Sequence, residues 1–474
     1  MLTISASSRR TLPAILSVLL TLALWIGCKW HYQDWFADPY KYPAKAASLS
    51  ATVLMCWCIV LSARWRRLEG LFGGLDKVYQ VHKRLGRWSF WLVIWHPLFL
   101  AAHKLPDPPG FLRGLWFQKI GGDPYVLGHD LGVATLALMA FLIAATLWIK
   151  RPYHVWKRSH EWFGLVLLLV MAHVWYVDAD IATHAPLRAW MWGLLALALG
   201  CFIYIRFLYR FLGPRYRYEI TRLEKVKDIL ELNLAPVGRK MDFKPSQFVY
   251  LVARKPGITP EPHPYSIASG YGLGAEIKLG IKQVGDHTRS LDALAKGDRV
   301  SLYGPYGRFS DRFLAARRDC VFIGGGIGIT PFMGMWHVAL HSQDRLDAGS
   351  VPEKPRGMHP EIIRTWRSPC VALFYVCREA GEASFDDDIK REVVLSRFHG
   401  FKALEERAHH YELYLSSRQG RISAEYIAGR VRGGVLDKDI HLCGPTPMVD
   451  SLIGQFKALG VPANRFVVED FNLV

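Results

Sequence analysis

The sequence has no CxxC pair, and its eight cysteines (28, 56, 58, 201, 320, 370, 377 and 443) are scattered, several inside apolar runs. This excludes a zinc site built on paired thiols and argues against a disulfide scaffold, because buried free thiols behave as small hydrophobes. Acidic residues are in short supply: 41 Asp and Glu stand against 59 Lys and Arg, a formal charge of +18. No EF-hand loop precedes the apolar half, so direct calcium control by that route is not expected. There is no internal repeat, and neither glycine frame at 324–328 completes a GxGxxG fingerprint. Apolar and aromatic residues are abundant instead: 51% of the 474 residues are hydrophobic and 17 are Trp, which excludes a disordered chain. The basic excess clusters beside apolar segments, so it points to a membrane and not to nucleic acid.

Residues 1–212 carry long apolar runs and residues 213–474 do not. Six spans are expected, at about 11–30, 47–64, 81–102, 126–149, 160–178 and 187–209, each near the length that crosses a bilayer core of about 30 Å. The first has Arg9 and Arg10 in front of it, as a signal peptide would, but no convincing small-residue cleavage site near Cys28, so it is read as a helix. Basic residues gather between spans two and three (Arg64, Arg66, Arg67, Lys77, Lys83, Arg84, Arg87), between four and five (Lys150, Arg151, Lys157, Arg158) and after six (Arg206, Arg210, Arg215, Arg217). This bias places both termini in the cytoplasm of a cell (inner) membrane, with a multi-pass chain between them.

The second half begins with short β-like runs at Arg217–Glu224, Ile229–Leu234, Phe248–Val252, Glu276–Lys282 and Arg299–Tyr303, separated by Gly and Pro as in a small antiparallel barrel. From about 316, strands at Cys320–Ile323, Val371–Val376, Tyr411–Leu415 and Ile440–Cys443 alternate with helical stretches, which predicts an α/β domain with a parallel sheet. The expected organisation is an all-α six-helix bundle at 1–212, a β-barrel at 213–315 and an α/β nucleotide-binding domain at 316–474. The polar, Pro-rich stretch 343–369 reads as an inserted loop.

Four histidines fall within the spans. His82 and His96 lie on span three, His160 and His173 on span five. Ionisable groups inside a membrane are costly and default to a functional reading, and neutral imidazole is a good axial haem ligand. The first pair is 14 residues apart, about 21 Å and nearly four turns, so both face one side. The second is 13 apart, which puts the rings off a common face and predicts a bend or π-bulge between them. Pairing by depth joins His82 with His160 and His96 with His173, each pair sandwiching one b-type haem. His103 competes with His96, and His154 with His160. Gly86, four residues after His82, leaves room for a flat macrocycle; Trp88, Trp91 and Trp95 read as packing or interface residues.

The run His82-Lys-Arg-Leu-Gly86 with His96, and a second His pair two helices later, resembles the ferric reductase-like transmembrane domain shared by NADPH oxidases and metalloreductases. The second half resembles the ferredoxin–NADP reductase superfamily. Pro245-Ser-Gln-Phe248 and His263-Pro264-Tyr265-Ser266-Ile-Ala-Ser269 match its flavin motif. That resemblance implies FAD, with His263 at the pyrophosphate, Tyr265 on the flavin or ribityl group, and Ser266 near N5. In the segment 281–288, Lys282 replaces the more usual Arg and Thr288 is placed to donate to a phosphate oxygen.

The turn Gly324-Gly325-Gly326-Ile-Gly328-Ile-Thr330-Pro331 resembles the superfamily's GxGxGxTP form, where backbone N–H groups cradle a pyrophosphate. Arg378 ends the next strand where an NAD-selective fold more often has an acid. A cation there suits the 2′-phosphate of NADPH, with Arg421 as a second cation and NADH as the alternative donor. Cys443-Gly444-Pro445 resembles the family's nicotinamide-side turn, and Phe471, after Glu469 and Asp470, its flavin-covering tail.

The resemblance implies an oxidoreductase in which hydride passes from NADPH to FAD and single electrons cross two haems to an outside acceptor, dioxygen or ferric iron. Family oxidases place a further His one turn beyond the outer ligand. Here that position is Leu100, and the outer half of span two offers only Lys45, at its mouth. The rival reading is an electron-delivery subunit that reduces a docked protein, for which the loop 103–125 is long enough.

Overall fold

A computed structural model describes residues 6–102, 104, 107–118, 123–149, 153–269, 276–315, 317–341, 369–398 and 409–469. The chain divides into two compact units, Met1–Leu212 and Gly213–Val474.

The first unit is helical. Its elements are α1 (Ala6–Tyr32), α2 (Lys41–Ser62), α3 (Arg66–Phe72), α4 (Leu75–Ala102), α5 (Pro108–Gly114), α6 (Pro124–Trp148), α7 (Tyr153–Glu161), α8 (Phe163–Val177), α9 (Ala179–Thr183) and α10 (Ala185–Ile203). Five helices among the described residues are long and apolar enough to cross a membrane: Arg10–Tyr32, Lys41–Ser62, Pro124–Thr146, Val155–Val177 and Ala185–Leu212. The expected span 81–102 is the C-terminal part of α4, whose Trp, His and Arg side chains lower its hydropathy. These helices expose large apolar side chains, among them Leu19, Ile26, Trp88, Trp91, Trp95, Phe141, Leu168 and Trp175. That surface suits a hydrocarbon solvent, in which helices satisfy their own backbone groups. It also places the three α4 tryptophans facing outward.

A cluster of buried charges inside this unit is paired. Lys29 Nζ lies 2.7 Å from Asp180 Oδ1 and 3.2 Å from Asp34 Oδ2, Trp25 Nε1 donates to Asp180 Oδ2 at 3.0 Å, and Lys45 Nζ meets Asp178 Oδ1 at 2.5 Å. The network ties α1, α2 and α9 together. Removing one partner would leave an uncompensated buried charge, which is strongly destabilising.

The second unit holds two sheets. The first is antiparallel, in the order β4-β3-β6-β1-β2-β5. Its strands are β1 (Arg215–Val226), β2 (Ile229–Pro236), β3 (Phe248–Ala253), β4 (His263–Ser266), β5 (Ile277–Lys282) and β6 (Arg299–Tyr306). An antiparallel bridge from Ile267 to Leu279 links the two ends of that order, so the sheet curls towards a barrel. Its interior is filled by Tyr218, Leu230, Leu232, Leu251, Leu279 and Leu302, all fully buried.

The second sheet is parallel, in the order β11-β10-β7-β8-β9. Its strands are β7 (Cys320–Gly325), β8 (Val371–Cys377), β9 (His410–Leu415), β10 (Asp439–Cys443) and β11 (Phe466–Glu469). β7, β8 and β10 are buried along their whole length, as parallel strands covered on both faces are.

The fold class expected from the sequence holds. Two strands escaped the reading. β4 contains Pro264, and β11 is only four residues long; both lie at a sheet edge, where a missing N–H or a short strand costs little.

Candidate redox site

The histidines are placed by a ladder between α4 and α2. His82 Nδ1 bonds Cys58 O at 2.8 Å, Ser89 Oγ bonds Ala51 O at 2.9 Å, and His96 Nδ1 bonds Ala44 O at 2.9 Å. The three donors step along α4 seven residues at a time, and the three carbonyls step back along α2 by the same interval. Seven residues are nearly two helical turns, so the contacts share one face. Ala44, Ala51 and Cys58 are small enough to let the helices come this close. Because a carbonyl can only accept, each Nδ1 carries the hydrogen and each Nε2 is left as the basic nitrogen, the arrangement of a metal-ligating imidazole.

On the facing helices, His173 Nδ1 bonds Gly128 O at 2.7 Å. A Cβ at Gly132 would fall 2.7 Å from His173 Cε1, so the glycine is what admits the ring. The break expected between His160 and His173 falls at Trp162, where α7 ends and α8 begins and where the Trp162 N–H reaches Ser159 O at 3.2 Å. It turns His160 towards His82, with ring centroids 6.1 Å apart and planes at 59°. A metal ion about 2 Å from a nitrogen of each ring spaces centroids by about this much. His160 stacks on Trp156 at 5.3 Å and touches Phe163 at 4.9 Å, and its Nδ1 is buried without a partner among the described residues. A Cβ at Gly86 would meet Cys58 Sγ at 3.9 Å, an ordinary contact. These features fit a metal held between His82 and His160, and leave His96 and His173 in the same ligating tautomer. His103 and the His154 side chain lie outside the described residues.

In the barrel, His263 and Pro264 begin β4, and Ser266 pairs with Phe248 across β3. The hydroxyls of Tyr265, Ser269 and Ser246 are buried without partners among the described residues, and burial pushes the Tyr265 phenol up. A row of orphaned hydroxyls along one motif fits a polar ligand that supplies the missing bonds, as a flavin would. His263 Nε2 lies 3.1 Å from Glu261 Oε2, and its ring stacks on His287 at 3.8 Å. Burial pushes His287 down to about 4, with the His263 charge adding to it.

Two residues of the flavin-phosphate segment are engaged locally. Lys282 Nζ faces Asp228 Oδ2 at 3.5 Å. Thr288 Oγ1 donates to Gly285 O at 2.9 Å and accepts from Val284 and Gly285 N–H at 3.0 Å, closing its own turn.

The nucleotide turn is a packing solution. After β7 the chain passes through Gly326–Ile329 into the helix Thr330–His341. A Cβ at Gly328 would lie 2.5 Å from Cys443 O, one at Gly325 2.6 Å from Met448 Cε, one at Gly324 2.9 Å from Ile329 Cα, and one at Gly444 3.0 Å from Gly325 Cα. The two glycine turns therefore lie against each other, with Cys443 buried and Pro445 beside Gly325. Gly326, at φ +55°, has open space where its side chain would be. This is a cradle in which backbone N–H groups can meet an anion. Thr330 Oγ1 turns back to Ile327 O at 2.9 Å, and Pro331 follows in the first helical turn.

Arg378 is exposed just beyond β8, and its carbonyl accepts from Ser417 N–H at 3.1 Å, which brings the turn carrying Gly420 and Arg421 alongside. β11 ends at Glu469, level with Cys443. Phe471 and nearly all of the 343–369 insertion lie outside the described residues. The sequence reading did not find Ser89, Gly128, Gly132 or the three α2 carbonyls. The seven-residue steps 82–89–96 and 44–51–58 were the available signal.

An apolar helical unit carrying paired histidines, joined to a barrel and a parallel-sheet unit with a glycine cradle, defines a membrane-embedded oxidoreductase. Residues 47–171 match the family described as ferric reductase like transmembrane component. That match falls within the helical unit.

Among curated relatives, the reductase component of propane 2-monooxygenase from Mycolicibacterium goodii is 27% identical over 268 residues, 54% of this chain and 67% of that protein. A superoxide-generating NADPH oxidase heavy chain of Dictyostelium discoideum is 25% identical over 272 residues, 52% of this chain and 36% of the oxidase. Among solved structures, phthalate dioxygenase reductase aligns with 54% of this chain and 67% of its own, at 15% identity and a TM-score of 0.38.

Proposed function

We propose that this chain takes electrons from cytoplasmic NADPH and delivers them across the cell membrane to a small acceptor, dioxygen giving superoxide or a ferric chelate. The observation that carries the reading is the His82–His160 pair, 6.1 Å apart, together with three imidazoles whose Nδ1 is held by a backbone carbonyl. FAD would supply the change from a two-electron donor to one-electron carriers, and two b-type haems the crossing.

The chain's own residues do the rest. His82 with His160 and His96 with His173 would hold the haems, and the carbonyl bonds of His82, His96 and His173 keep those three rings in one tautomer and raise their basicity. Tyr265, Ser266 and Ser269 line the flavin edge, with His263, Lys282 and Thr288 towards its phosphates. Gly324, Gly325, Gly326, Gly328, Thr330 and Pro331 form the dinucleotide turn. Arg378 and Arg421 recognise the 2′-phosphate. Cys443, Gly444 and Pro445 border the nicotinamide. With both termini inside a negative cytoplasm, each electron moves with the field, worth about 2.3 kcal/mol per 100 mV.

A second reading is favoured by the relatives described as reductase components: the acceptor is then a docked extracytoplasmic protein. Purified protein should be screened with NADPH against oxygen and ferric chelates while its dithionite-reduced spectrum is recorded. Rapid NADPH consumption with one of these small acceptors supports the first reading. A protein with full flavin and no haem would remove it, and a haem-loaded protein inert to every small acceptor would favour the second.

A further inference from the structure

The parallel sheet has two ends. The glycine cradle and Cys443 stand at the C-terminal ends of β7 and β10, where ligands of α/β sheets bind. At the opposite ends lies a cavity of about 390 Å³, lined by Arg312, Arg317, Arg318, Arg465, Asp439 and Asn464 among others. β10 runs from Asp439 to Cys443, so the two places are about 13 Å apart along the strand.

Four guanidinium groups meet here with little to neutralise them. Asp311, the other acid of the lining, is already bonded to Arg308 Nε at 2.5 Å. Asp439, buried at the start of β10, stands between two arginines, 3.7 Å from Arg312 Nη1 and 3.8 Å from Arg465 Nη1, so neither makes a hydrogen bond to it. Arg312 instead donates to Asn464 O at 2.5 Å. Among the described residues, the Arg465 Nε is buried with no hydrogen-bond partner, and neither Arg317 nor Arg318 makes an ion pair. Four like charges around one cavity repel, and a buried guanidinium nitrogen without a partner is costly. A tetrahedral oxyanion answers both, because arginine forks bind phosphate oxygens two at a time.

We propose that this cavity is an anion site for a phosphate-bearing ligand, separate from the dinucleotide site at the other end of the same strands. Arg465 reaches the phosphate from the residue before β11 and Arg312 from the helical turn Asp311–Leu314, while Arg317 and Arg318 reach it from the segment before β7. The same chemistry is offered by free phosphate compounds and by the headgroup of an anionic lipid.

The test uses the full-length, detergent-purified protein, saturated with FAD and NADP+ so that the dinucleotide site is filled. Inorganic pyrophosphate is titrated by calorimetry at low salt, in parallel with water-soluble dihexanoyl phosphatidic acid. Saturable binding of at least one probe is expected, weakened at least tenfold in Arg317→Ala/Arg318→Ala. Both residues are exposed, so that variant should keep its ligand-free melting temperature and its NADP+ affinity. Arg465→Lys, which keeps the charge and loses the fork, should weaken binding by a smaller factor. Tighter binding of the lipid identifies a headgroup site, and tighter or equal binding of pyrophosphate a free-phosphate site. Failure of both probes to bind, or equal affinity in wild type and the double arginine variant, overturns the proposal.

Discussion

The two units solve one problem, holding a cofactor site in place, by opposite means. In the helical unit the reactive side chains are far apart in sequence and are held by single hydrogen bonds to backbone carbonyls of a neighbouring helix, from His82 to Cys58, His96 to Ala44 and His173 to Gly128. In the second unit the dinucleotide turn is made of backbone, and the residues that matter there are those with no side chain, Gly324, Gly325, Gly328 and Gly444. A helix uses its backbone groups in its own hydrogen bonds, so it offers side chains. A turn leaves some of them free, so it presents N–H groups and needs glycine where another turn packs against it.

The largest effect should come from the helical unit. Replacing His96 or His173 with Ala should remove about half of the dithionite-reduced haem signal and stop transfer to outside acceptors, while flavin reduction by NADPH continues. Retention of the full haem spectrum would show that the outer pair is not a ligand pair.

Next is Arg378→Ala. A charge-assisted contact is worth about 1.5–3 kcal/mol, so KM for NADPH should rise about ten- to a hundredfold, with little change for NADH. Equal changes for both donors would show that Arg378 does not read the 2′-phosphate.

The sharpest test of the comparison is a pair of glycines. Gly328→Ala places a methyl group against the Cys443 backbone, which cannot give way, whereas Gly132→Ala meets a histidine ring, which can rotate. Overpacking costs about 1–3 kcal/mol. Gly328→Ala should lower NADPH affinity and melting temperature, while Gly132→Ala should leave melting nearly unchanged and perturb the outer haem spectrum. The reverse order would break the contrast.

A smaller effect concerns pH. His441 is wholly buried between Phe309 and Phe322, and burial, with the Arg312 charge adding to it, pushes it down to about 3 from 6.5. The unfolded chain therefore binds a proton that the folded chain refuses between those values. The reductase unit should lose stability as pH falls from 6.5 towards 3, by up to about 1.4 kcal/mol per pH unit. His441→Phe should flatten that slope in denaturant titrations; an unchanged slope would assign it to other groups. The smallest change is Ser89→Ala, which removes the middle rung of the ladder. It should cost about 1 kcal/mol in thermal unfolding with both haems retained.

Much of this molecule is legible in one dimension. Hydropathy marks the helical half because crossing a bilayer takes about 20 apolar residues in a row. Strand patterning marks all the strands described here except β4 and β11, because their side chains alternate or are wholly buried. The glycine and CGP turns read directly because their chemistry is local. Even the break between His160 and His173 was implied, since 13 residues do not return a helix to the same face.

What the sequence left open was settled by packing across long separations. That His160 faces His82, that α2 carbonyls orient α4 imidazoles, that Gly132 makes room for His173, and that four arginines from 312 to 465 line one cavity all join residues tens to hundreds of positions apart. Periodicity says which face of a helix a residue lies on. Which neighbour that face meets, and which lone pair its nitrogen finds, is decided only when the elements pack.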